Sequence, residues 1–128
     1  MHPAMFVASI IILAGIFILS LVVGSYYKFG VRHSWFFETM HFLGGFFVAM
    51  FFSNFTSSTY LILAYLCIVI FLWELMEILN ARIPLLTKFI KKTIKLKLED
   101  ITPKWRDTVL DIILDFAGAL LFIYFFHQ

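Results

Sequence analysis

Charge and cysteine are both scarce in this sequence. Only 14% of its 128 residues are Asp, Glu, Lys or Arg, against about 25% in soluble domains, while 62% are hydrophobic and 20% aromatic. A chain so poor in charge cannot coat a soluble globule, and the composition reads as an integral membrane protein. The single cysteine, Cys67, lies inside an apolar run. It excludes a disulfide framework or a cysteine metal site within one chain. A phosphate-binding glycine loop, a dinucleotide fingerprint and a Ser/His/Asp elbow are all missing. So is any repeat or low-complexity tract.

What is present is four apolar runs. Residues 4–26, 36–52, 60–79 and 105–126 are each near the roughly 20 residues that cross a hydrocarbon core of about 30 Å. Met1, His2 and Pro3 ahead of the first run carry no Lys or Arg, and the run is longer than a signal core, so it reads as a retained span. Gly15 and Ser20 offer a close approach to a neighbouring helix. Gly30, in the polar connection 25–34, reads as a turn residue. Asn54-Phe55-Thr56 matches a glycosylation acceptor by composition, and chance explains so common a tripeptide.

Segment 81–100 is the one sizeable stretch outside the spans. Leu86, Phe89, Ile90 and Ile94 recur at helical spacing with Lys88, Lys91, Lys92 and Lys95 between them, the pattern of a basic amphipathic helix on a membrane surface. The partner this predicts is anionic lipid headgroups rather than nucleic acid. The fold class is therefore an all-α membrane protein, a single domain of four transmembrane helices with a basic amphipathic connector between the third and fourth.

All ten Lys and Arg residues fall in the two connections on one side of that topology. The positive-inside rule makes that side cytoplasmic and places both termini outside, in a plasma membrane of bacterial type. Depth follows from orientation. Glu38 and His41 open the second span, Glu74 and Glu77 close the third, and Asp107, Asp111 and Asp115 open the fourth, four residues apart on one helix face. At about 1.5 Å per residue, His41, Glu74 and Asp111 lie roughly 8–11 Å inside the same boundary. Six of the eight acidic residues thus converge on one layer.

Six carboxylates and one imidazole cannot all be charged and unpaired there. A divalent ion (Mg, Mn, Zn or Fe) held by Glu38, His41, Glu74, Glu77, Asp107 and Asp111 is one resolution. His41 would then ligate the metal or act as acid/base, in catalysis on a lipid or envelope-precursor headgroup. A cation or proton carrier using the same carboxylates is the second, and a non-catalytic scaffold whose polar layer aligns helices is the third. Glu38, Glu77 and Asp107, the outer members, also have the alternative of pairing with Arg32, Arg82, Lys104 or Arg106. Within the Asp stripe, Asp111 is the favoured site member and Asp115 the least supported. The glycine pair Gly44-Gly45 removes bulk just above the Glu38/His41 pair, allowing a backbone contact there.

Glu38-Thr-Met-His41-Phe-Leu-Gly, Trp73-Glu-Leu-Met-Glu77 and Trp105-Arg-Asp107-Thr-Val-Leu-Asp111-Ile-Ile-Leu-Asp115-Phe-Ala-Gly118-Ala resemble, in order and spacing, the motifs of the YjdF-like and VanZ-like small membrane proteins. The resemblance spans residues 38–119 and leaves the first span outside. It implies a helical membrane protein with its polar motifs in one cluster and, for the VanZ-like branch, a link to the cell envelope and glycopeptide tolerance. It implies no particular reaction. Glu38 stands where those families usually have Asp, and the Lys-rich connector replaces a Gly- and Asp-rich one.

Overall fold

Where lipid replaces water, every backbone N–H and C=O must find its partner inside the segment, and an isolated span can do so only as a helix. A computed structural model of the chain describes residues 2–27, 29–82, 88–89, 92 and 105–127. Helix α1 runs Pro3–Leu19, with proline at its start where the missing N–H costs nothing, and it continues as a π-type turn over Ser20–Tyr26. A short α2, Phe29–Arg32, precedes α3, Ser34–Phe52, then α4, Thr59–Arg82, and α5, Trp105–Phe126. The stretches Pro3–Gly24, Ser34–Phe52, Thr59–Leu79 and Arg106–Phe126 are long and apolar enough to cross a membrane, and no strand occurs among the described residues. The all-α, four-span class expected from the sequence is what the chain adopts. Most of the expected interfacial helix, 81–100, lies outside the described residues; within it, Lys88, Phe89 and Lys92 are helical and exposed.

Contacts between chain ends fix which connections share a side. The His2 backbone N–H donates to Asn54 Oδ1 at 3.3 Å, and His127 Nε2 lies 3.0 Å from the Ser57 carbonyl oxygen. Both ends of the described chain and the 53–58 turn therefore meet at one end of the bundle, and the starts of α3 and α5 and the end of α4 lie at the other. Asn54 is central to the first end. Its Nδ2 donates to the carbonyls of Met50 at 2.9 Å and Phe51 at 3.2 Å, and Ser53 Oγ donates to Met50 at 2.7 Å. These bonds satisfy the Met50 carbonyl, which the last turn of α3 leaves without a backbone partner, and add to the Asn54 backbone N–H on the Phe51 carbonyl. Asn54 is buried, and its amide nitrogen is committed to capping rather than free to accept a glycan.

The tightest packing joins α3 to α5, and glycine is the reason. A Cβ added to Gly45 would strike the Asp115 backbone, and one added to Gly118 would strike the Phe42 carbonyl and the Phe46 nitrogen. The two backbones approach to a distance that any side chain would prevent, as expected where association in lipid depends on packing rather than on hydrophobic expulsion. Helix α1 packs on α3, and the fully buried Ser9 spends its hydroxyl proton on the Phe6 carbonyl at 2.7 Å. Helix α4 touches α3 and α5 more sparsely.

A small apolar core of Ala49, Ile62, Leu66, Ile70, Ala119 and Phe122 fills the half of the bundle nearer the termini, with the Phe46 ring edge-on to Phe122 at 5.4 Å. Ile68, Phe71, Ile113 and Leu120 are exposed on the outer faces of helices long and apolar enough to cross a membrane. Gly30 stands inside α2 rather than at a turn. The space it leaves is taken by the Phe37 ring, 2.5 Å from where a Cβ would sit, and Gly24 leaves room for the same ring.

Candidate functional site: a histidine held between two aspartates

The half of the bundle away from that core carries the acidic residues. Asp111 and Asp115, one turn apart on α5, both face His41 of α3. His41 Nε2 lies 3.5 Å from Asp111 Oδ2, and His41 Nδ1 lies 3.3 Å from Asp115 Oδ2. The side chains are mostly enclosed, at 15% relative exposure for His41, 19% for Asp111 and 14% for Asp115. Each ring nitrogen therefore has its own carboxylate, Asp115 within hydrogen-bonding distance and Asp111 slightly farther, in a mostly enclosed setting where an unpaired ion is costly.

The close backbone approach builds this site. Gly45 packs on the backbone of Asp115 itself, one turn beyond His41, and a Cβ at Gly44 would meet Asp115 Oδ1 at 3.8 Å. Without a side chain on Gly45, α5 comes near enough to α3 for a carboxylate to reach the inner ring nitrogen. The expectation that the glycine pair permits a backbone contact beside the Glu38/His41 pair is met, with Gly45 making the contact.

Helix α4 adds two carboxylates. Glu77 Oε1 accepts a hydrogen bond from Trp73 Nε1 at 2.9 Å, a pairing that the i, i+4 spacing of Trp73 and Glu77 permits along one helix face. Glu74 Oε2 is fully buried and has no hydrogen-bond partner among the described residues. Glu74 and Glu77 stand within Coulombic reach of His41 and Asp115, and Asp111 feels Glu77 and Asp107. Of the outer members, Asp107 is exposed on the first turn of α5. Glu38 lines a separate open groove with Trp35, Thr39, Phe42 and Leu114. Neither makes a hydrogen bond or ion pair among the described residues.

The six residues expected to hold a metal are thus distributed unevenly. His41 and Asp111 are in contact, Glu74 and Glu77 border them from α4, Asp107 lies a turn outside, and Glu38 faces its own groove. No group of three or more His, Cys, Asp or Glu side chains among the described residues is gathered as metal ligands would be. Asp115, the least favoured position in sequence, makes the shorter contact with His41. Two signals pointed to it: its place on the Asp111 face one turn deeper, and the glycine pair one turn beyond His41 on the facing helix. Trp73 was visible beside Glu77 but not as its hydrogen-bond donor. No protein-family model matches the chain, nor is any curated protein or solved structure found to be similar to it.

Proposed function

We propose that this chain is an integral membrane proton carrier whose working site is the His41–Asp111–Asp115 cluster. The observation that supports this reading best is the imidazole with a separate carboxylate at each ring nitrogen, on two different helices, inside a span. An imidazole so flanked accepts a proton at one nitrogen from one side and surrenders a proton at the other to the opposite side. Along α5, Asp107, Asp111 and Asp115 step inward by about 6 Å per four-residue interval, with His41 bridging the last two.

Past Asp115 the core is Ala49, Ala119, Phe122 and the α4 residues Ile62, Leu66 and Ile70, and among the described residues that core holds no ionisable side chain to receive the proton. A path that ends halfway belongs to a carrier, which must change shape to complete the crossing, rather than to an open channel. The sparse packing of α4 on α3 and α5 makes α4 the element able to move. All ten Lys and Arg residues fall, by sequence, in the two connections on the site's side of the spans, which argues that this side is cytoplasmic and drawn to anionic lipid, with both termini on the far side. The YjdF-like and VanZ-like resemblance of residues 38–119 fits a small membrane protein with such a cluster.

One observation favours a second reading, a divalent cation on the same carboxylates serving headgroup chemistry: Glu74 Oε2 is buried without a hydrogen-bond donor among the described residues, as a ligand oxygen would be. Proteoliposomes containing a pH-sensitive dye separate the two. A proton carrier dissipates an imposed pH gradient faster than empty liposomes, and Asp111→Asn or His41→Ala abolishes the excess. If flux is absent while metal analysis of the purified protein finds a stoichiometric Mg, Mn, Zn or Fe lost on Glu74→Gln, the cation reading replaces it.

A further inference from the structure

Glu38 takes no part in the His41 cluster, and its surroundings suit a different ligand. It lines a groove of about 280 Å³ with Trp35, Thr39 and Phe42 of α3 and Leu114 of α5. The groove starts at Trp35, which is exposed in the first turn of α3, and extends two turns inward to Phe42, a rise of about 10 Å. Its one formal charge is the Glu38 carboxylate, which has no hydrogen-bond or ion-pair partner among the described residues. The one hydroxyl on its wall, Thr39 Oγ1, already donates its proton to the Trp35 carbonyl at 2.8 Å. The inner wall, Phe42 and Leu114, is apolar.

The geometry points to a binding site for an alkyl quaternary ammonium amphiphile, its cationic head between the Glu38 carboxylate and the Trp35 ring and its first methylenes along Phe42 and Leu114. A quaternary ammonium needs no hydrogen-bond acceptor, and it is attracted both to a carboxylate and to an indole face. An anionic headgroup would meet Glu38 with like charge, and a neutral one would leave that carboxylate uncompensated beside an apolar wall. The volume falls just below that of small-ligand pockets, which run from about 300 Å³ upward, and suits a headgroup with the start of a chain rather than a whole lipid. The site stands independently of the proton reading, because none of its residues belongs to the His41 cluster.

Equilibrium dialysis of radiolabelled decyltrimethylammonium against the full chain in dodecyl maltoside micelles, with protein-free micelles subtracted, tests this. Saturable binding of one probe per chain is expected, displaced by unlabelled probe and not by decanol. Glu38→Gln should weaken it at least about tenfold. Trp35→Leu should weaken it several-fold, with Trp35→Tyr recovering part of the loss because a ring face is restored. All three variants are checked for unchanged helical circular dichroism, and the decanol competition needs no variant at all. Absence of saturable binding, displacement by decanol as effective as by the probe, or wild-type affinity in a folded Glu38→Gln chain would each overturn the assignment.

Discussion

Replacing Gly45 with alanine tests how the site is built. The added methyl would lie 2.6 Å from the Asp115 carbonyl carbon and 2.7 Å from its Cα, with the carbonyl oxygen nearer still. Carbon atoms in contact sit about 3.5–4.0 Å apart, so α3 and α5 must separate by roughly 1 Å. Neither obstacle is the end of a flexible side chain, and overpacking of this kind costs about 1–3 kcal/mol. The same separation stretches the 3.3 Å contact between His41 and Asp115 beyond hydrogen-bonding range. An interhelical polar contact in a membrane contributes about 0.6 kcal/mol on average and up to about 1.7. The expected loss is therefore roughly 2–4 kcal/mol. Gly44→Ala is the internal control, because its methyl would meet only Asp115 Oδ1 at 3.8 Å, an ordinary contact. The assay is reversible unfolding in mixed micelles by added dodecyl sulfate, followed by circular dichroism. Equal stability of the two variants would refute the claim that a glycine-mediated backbone approach holds α3 against α5.

Gly118→Ala should match Gly45→Ala in the same titration, since its methyl meets the Phe42 carbonyl, whereas Gly15→Ala, with nothing within 4 Å, should leave stability unchanged or raise it by up to about 1 kcal/mol. A double-mutant cycle on His41→Ala and Asp115→Ala should return a coupling of about 0.6–1.7 kcal/mol, and additive losses would place the two side chains apart. Replacing Glu74 with Met removes a buried oxygen that lacks a donor among the described residues, so stability should hold or rise, by about 1–3 kcal/mol at most, while a marked loss would reveal a partner for that oxygen. Asn54→Ala should cost about 1–3 kcal/mol by removing the Nδ2 bonds to the Met50 and Phe51 carbonyls and freeing the His2 N–H, and unchanged unfolding would dismiss Asn54 as a cap.

The spans were legible because lipid imposes one strong rule, an apolar helix of about 20 residues, and all four runs obey it within a few residues. The convergence of acidic residues on one layer was legible for the same reason: helical rise turns sequence position into depth. Rotation about each helix axis was not. Glu38 and His41 are three residues apart, yet one lines a groove with Leu114 while the other is gripped by Asp111 and Asp115. Periodicity cannot decide which face of α3 meets α5 when nearly every residue around both helices is apolar. Gly45 and Gly118 decide it, through a steric contact between two backbones that only the folded pair displays. Asn54 follows the same pattern: its tripeptide reads as a chance match to a glycan acceptor, and only the folded end of α3 shows what its amide does.

The grip on His41 is open to one direct measurement. Solid-state NMR of the chain in bilayers, with ¹⁵N in the histidine rings and ¹³C in the aspartate carboxyls, reads through-space transfer from each ring nitrogen. His41, identified by its loss in His41→Gln, should show transfer from Nδ1 to the Asp115 carboxyl and from Nε2 to that of Asp111, and Asp115→Asn should shift the Nδ1 signal while Asp107→Asn leaves it in place. A His41 ring that shows transfer to neither carboxyl, or whose signals ignore Asp115→Asn, would contradict the placement of a proton-handling imidazole between α3 and α5.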